Sequence, residues 1–120
     1  MRRGLGALLA ALLLTVATRA GAHAFLDRAE PRVGSKVRMP PARVTLWFTE
    51  RLEPAYSRLT VVEARGQQVD KADVAVDVGD PRVLRASLSP LGPGTYKVIW
   101  RVLSVDTHVT EGDFTFTVAR

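Results

Sequence analysis

The chain has 120 residues, no cysteine, two histidines and a formal net charge of +5. Without a thiol it can build no disulfide, Fe–S cluster, cysteine zinc site or His₂Cys blue-copper site. Its basic residues are interspersed with Asp and Glu, which argues against the clustered basic face of a nucleic-acid-binding protein.

Arg2 and Arg3 open the chain with positive charge, and residues 5–16 form an uncharged run rich in Leu and Ala. Residues 17–22 close on Ala20-Gly21-Ala22, a small-x-small cleavage signal. This is the three-part layout of a secretory signal peptide. The apolar run falls short of the ~20 residues that a transmembrane helix needs. The expected organisation is a signal peptide over 1–22 and one soluble, exported domain over 23–120. Cleavage after Ala22 makes His23 the first residue of the exported protein, whereas a cut after Ala24 would discard it. Residues 23–120 carry 14 basic and 12 acidic side chains, a net +2, so the leader supplies most of the positive charge.

From residue 23 onward the pattern is short apolar runs of period two, divided by Pro and Gly. Residues 24–29 read as an edge strand ending at Glu30-Pro31, and residues 32–35 as a turn. Residues 36–41 are polar and end in two prolines, which cannot sit inside a central strand. In residues 44–48, Val44, Leu46 and Phe48 share one face, with Thr45 and Trp47 opposite. A loop over 49–54 leads to a strand over 57–64 that is rich in β-branched residues. Residues 69–78 are a weak strand or extended loop, and 83–88 place Leu84, Ala86 and Leu88 on one face. The longest strand covers 95–104, with Tyr96, Val98, Trp100 and Val102 together. Glu111-Gly112 opens the last strand, where Phe114, Phe116 and Val118 alternate with polar residues. About seven strands with no helix between them predict an all-β fold, a small antiparallel β-sandwich.

The chemistry-bearing residues lie at the two ends of this domain. Asp106 and His108 are two apart, and on an extended strand such residues face the same way. An N-terminal His23 would add its ring Nδ1 and its free α-amine, which close one chelate ring on a metal. Three nitrogens and one carboxylate oxygen suit a tetragonal Cu(II) ion and would also hold Zn(II) tetrahedrally. The Irving–Williams order favours Cu(II). Met39 is the only methionine in 23–120, so no Met cluster selects Cu(I). Taken singly, His108 reads as a loop histidine, Asp106 as a turn former and His23 as a bystander after the leader. Their combination points to a metal.

From His23 onward the chain resembles the CopC family of exported copper-binding proteins. The resemblance is carried by His23-Ala24-Phe25-Leu26, Glu30-Pro31 with Gly34, and the segment from Val44 to Glu50. It continues in Leu91-Gly92-Pro93-Gly94-Thr95-Tyr96-Lys97-Val98-Ile99-Trp100-Arg101, in Ser104-Val105-Asp106-Thr107-His108, and in Gly112 with Phe114-Thr115-Phe116. It implies a sandwich of cupredoxin-like or immunoglobulin-like Greek-key topology. It implies one Cu(II) per chain, held by His23 through amine and ring, by Asp106 and by His108. It further implies a periplasmic copper carrier or buffer in resistance or uptake, working with a CopD-type inner-membrane protein that here would be a separate chain. Many members have Gly between the Asp and the His; Thr107 departs from that pattern, at a place where Gly would permit a backbone conformation that Thr resists. The Met-rich Cu(I) loop of some members is missing. Glu50 is a candidate for a supporting contact near the metal, with a plain surface carboxylate as the alternative.

Two other functions fit parts of the pattern. An N-terminal His with a second His is also the metal brace of polysaccharide-oxidising copper oxygenases. Against that enzyme reading, Asp106 would fill the position where oxygen or substrate binds, and no aromatic platform for a sugar is evident. The other is a metal-free immunoglobulin-like interaction module.

Overall fold

The computed structural model describes residues 23–120; the signal peptide expected over 1–22 lies outside the described residues. The strands are β1 (Leu26–Glu30), β2 (Lys36–Val37), β3 (Arg43–Phe48), β4 (Arg58–Glu63), β5 (Ala75–Val76), β6 (Val83–Ser87), β7 (Gly94–Leu103) and β8 (Val109–Val118). A single 3₁₀ turn, Pro54–Tyr56, is the one helical piece among the described residues. They form two four-stranded sheets, β1-β3-β6-β5 and β2-β8-β7-β4. Only the β5–β6 and β7–β8 links stay within a sheet; every other connection crosses between sheets.

The two-residue alternation decides which side chains meet between the sheets. Val44, Leu46 and Phe48 of β3 are buried against Leu59 and Val61 of β4, Leu84 and Ala86 of β6, and the alternating residues of β7 and β8. The opposite faces are wet, and there the Arg28 guanidinium lies 4.4 Å from the centre of the Trp47 ring. The expected all-β sandwich is borne out, with eight strands in place of about seven. One expectation changes: Lys36–Val37 is a short strand, and it runs parallel to β8 in an otherwise antiparallel fold. It lies at the sheet edge, and the Pro40-Pro41 pair follows it outside the ladder. The weak 69–78 pattern yields only Ala75–Val76, while β8 starts two residues earlier than expected.

Two polar or close-packed details hold the sandwich in register. Asp70 is buried, and its carboxylate accepts Val61 N at 2.8 Å, Gln68 Nε2 at 2.9 Å and Ala72 N at 3.1 Å. It thereby ties the crossover after β4 to the edge of β4. Gly112 on β8 is paired with Trp100 on β7, and the indole lies where a side chain at 112 would project.

The end of the sandwich that matters is built by two loops. Glu53 N donates to Leu103 O at 2.8 Å and Val105 N to Arg51 O at 3.0 Å. With the Leu52–Ser104 bridge, these bonds lay the segment after β3 along the turn that joins β7 to β8.

Candidate metal centre

Residues 23–25 lead into β1 from a bend at His23, with Ala24 fully buried and His23 and Phe25 exposed on either side of it. The arm is held by two threonines. Thr49 N donates to Phe25 O at 2.9 Å, and Phe25 N donates to the Thr49 hydroxyl at 2.9 Å. That hydroxyl donates in turn to His23 O at 3.3 Å. On the other side, Thr110 Oγ1 donates to Ala24 O at 2.6 Å. Every backbone carbonyl from 23 to 25 is thus tied to β8 or to the end of β3.

The second half of the centre is the connection between β7 and β8. Ser104 N donates to His108 O at 3.0 Å and Thr107 N to Ser104 O at 2.9 Å, which closes a tight turn. The Ser104 hydroxyl is fully buried, within reach of both Asp106 Oδ1 and His108 O, the latter at 3.2 Å. Its single proton serves one acceptor at a time. Thr107 takes φ +73°, a left-handed conformation rare for a β-branched residue. This is the backbone state for which Gly is suited, so the departure at 107 has a local structural meaning.

Asp106 and His108 do come together, with Nδ1 of His108 3.3 Å from Oδ1 of Asp106. The reason differs from the one expected. They do not share the face of a strand; the turn closed by Ser104 folds them toward each other. The His23 ring then meets the His108 ring edge to face, with centroids 4.3 Å apart at 74°. The Ser104 hydroxyl, followed by His108, holds the Asp106 carboxyl below the usual carboxylate range against a smaller opposing desolvation.

The three side chains form a sequence of contacts and not a closed cage: among the described residues no three His, Asp or Glu groups converge on one point. The donor chemistry fits a metal nonetheless. Two imidazoles and an ionised carboxylate are within one small, solvent-accessible region, and they suit a borderline cation such as Cu(II) or Zn(II). In the 120-residue chain the His23 nitrogen is a peptide nitrogen. Cleavage after Ala22 would convert it to an amine, a fourth donor.

Glu50 is half-buried in an open cleft of about 550 Å³ that it lines with Thr49, Arg51, Asp80, Pro81, Arg82 and Val105. It forms no ion pair among the described residues. Arg101 pairs loosely with Glu111 at 3.8 Å on an exposed strand face. Trp100 is core, packed edge to face on Phe48 at 5.2 Å.

Sequence reasoning missed Thr49, Ser104 and Thr110. Ser104 left a trace: it continues the inward series Tyr96, Val98, Trp100, Val102, so a polar residue stands where the alternation calls for core. The threonines left none, since a hydroxyl's partner across the fold cannot be read from spacing.

Fold and site together define a small two-sheet β protein with an exposed imidazole pair and a carboxylate at one end. The CopC domain family matches residues 26–119. The chain belongs to the CopC family. Copper resistance protein C of Pseudomonas syringae pv. tomato is 36% identical over 111 residues, covering 88% of this chain and 87% of that protein. Protein YobA of Escherichia coli (strain K12) is 34% identical over 98 residues, covering 81% and 79%. The crystal structure of CopC from Methylosinus trichosporium OB3b superposes with a TM-score of 0.72 at 36% identity, covering 81% of this chain and 94% of that one.

Proposed function

We propose that this protein is a periplasmic carrier or buffer that binds one Cu(II) per chain through His23, Asp106 and His108. The observation that carries the reading is the meeting of the His23 and His108 rings beside the Asp106 carboxylate. The copper named in its relative of Pseudomonas syringae supports the choice of cargo. Export through the 1–22 leader would free the His23 amine, so that amine and ring Nδ1 chelate the ion while the β7–β8 turn supplies a carboxylate and a second imidazole. The cargo site is open to solvent on one side, with the His108 and Asp106 side chains 47% and 36% exposed. That openness suits handing an ion on to a separate chain such as a CopD-type membrane protein, and it fits a binding role better than an enzymatic one. Glu50 lines a cleft that includes none of His23, Asp106 and His108, so it is not among the proposed ligands.

The test compares exported protein starting at His23 with protein carrying one extra residue before it. Copper titration followed by electron paramagnetic resonance is expected to show one tight Cu(II) in the first and much weaker binding in the second. Equal affinity, or an exported form that starts at Phe25, would remove the amine from the site.

A further inference from the structure

Chelating side chains from opposite ends of a domain must be held in place before the ion arrives, or the ion's own binding energy is spent on ordering them. In this fold the two halves of the centre are each secured by hydroxyls whose bonds end on proposed ligand residues or within two residues of one. Thr49 Oγ1 accepts from Phe25 N at 2.9 Å and donates to His23 O at 3.3 Å. Thr110 Oγ1 donates to Ala24 O at 2.6 Å. Ser104 Oγ is buried beneath the turn and reaches Asp106 Oδ1 and His108 O.

The three come from different elements. Thr49 follows β3, Ser104 follows β7 and Thr110 lies in β8. Each therefore anchors the centre to a separate part of the rigid sandwich. Without the Thr49 and Thr110 hydroxyls the 23–25 arm would keep only the Thr49 N to Phe25 O backbone bond among those that tie it ahead of β1. That single bond lies two residues from His23, and the His23 carbonyl would be released.

We infer that Thr49, Ser104 and Thr110 are positioning residues of the centre, presetting the His23 arm and the Asp106–His108 turn for one metal geometry. The inference deepens the copper reading and rests on it. Hydrogen bonds that orient ligands typically change metal affinity by 10- to 100-fold when removed. For partly exposed bonds such as these, the lower end applies.

The test uses isosteric pairs in the exported protein, with its N-terminus verified by mass spectrometry. Thr49→Val and Thr110→Val remove the hydroxyl at nearly constant shape; Thr49→Ser and Thr110→Ser keep it. Each Val variant is expected to bind Cu(II) about tenfold more weakly, with an altered paramagnetic resonance spectrum. Each Ser variant should stay close to the parent in both readouts. Ser104→Ala is expected to shift the spectrum most, because it frees a ligand side chain directly. Since that substitution lies in the core, the threonine pairs decide the matter if it fails to fold. Val variants with parental affinity and spectrum would overturn the inference while leaving the copper reading intact. Ser variants that lose as much as Val variants would overturn it too, since shape and not the hydroxyl would be responsible. A parent protein that takes up no Cu(II) would overturn the copper reading itself.

Discussion

The ring of His23 meets the ring of His108 edge to face, 4.3 Å between centroids, although one lies ahead of β1 and the other between β7 and β8. No local sequence feature joins them. The contact exists because β1 pairs with β3 and because β7 and β8 turn at the same end of the sandwich. On the proposed reading, either ring removed is a donor lost from the ion, whereas Glu50 lines a cleft that includes none of the three proposed ligands. His108→Ala is therefore expected to weaken Cu(II) binding far more than Glu50→Ala, by more than about tenfold. Competition titration against a chelator of known affinity measures both, and the reverse ranking would sink the ligand assignment.

The acid behaviour of Asp106 follows from its neighbours. Its folded carboxyl titrates below the ordinary value of about 3.9, chiefly because of the Ser104 hydroxyl. A depressed carboxyl contributes stability that is present above its unfolded value and lost as pH falls through its lower folded one. At neutral pH that contribution is fully in place. Carboxyl-carbon NMR should show Asp106 titrating low, and Ser104→Ala should bring it back toward the ordinary value. An unmoved titration would mean that the hydroxyl is not the cause. Copper release near neutral pH should instead follow protonation of the nitrogens, since a free α-amine titrates at about 7.7–8.0.

Thr107 holds φ +73° in the turn between the two ligands. A non-glycine residue there typically costs about 1–3 kcal/mol, and the extra unfolded-state entropy of Gly offsets part of what relieving that cost would gain. Thr107→Gly is expected to raise the unfolding free energy by roughly 0.5–1 kcal/mol. Urea denaturation of the metal-free protein checks it, and a drop in stability would show that the threonine is well accommodated.

Gly112 shows the opposite constraint. A Cβ at this position would come 2.6 Å from Trp100 Cζ2, and the indole is boxed in by Phe48. Gly112→Ala must displace a buried ring, at about 1–3 kcal/mol. Denaturant unfolding measures the loss, and Trp100 near-ultraviolet dichroism reports the displacement. Unchanged values of both would contradict the close packing.

Much of the fold was legible because burial imposes a period of two. Val44, Leu46 and Phe48, or Phe114, Phe116 and Val118, need only their own spacing to declare a core face. The Lys36–Val37 strand was not legible: two polar-flanked residues carry no period, and their ladder depends on β8 passing beside them. Asp106 and His108 were picked out correctly as neighbours, but by strand geometry where a turn operates. Asp70 looked like an ordinary acid in a weak segment, and only its three donors explain its burial.

By itself the sequence determined the residue types and their order: a basic start followed by an apolar run, an all-β alternation, two histidines, and an acid near the second. These are local properties, set by side-chain chemistry and by which residues must avoid water. Tertiary structure alone decided that the two histidines touch, that Ser104 lies buried under the turn, and that two threonines hold the His23 arm. Those facts depend on strand pairing and crossovers between residues far apart in the chain, where spacing carries no information.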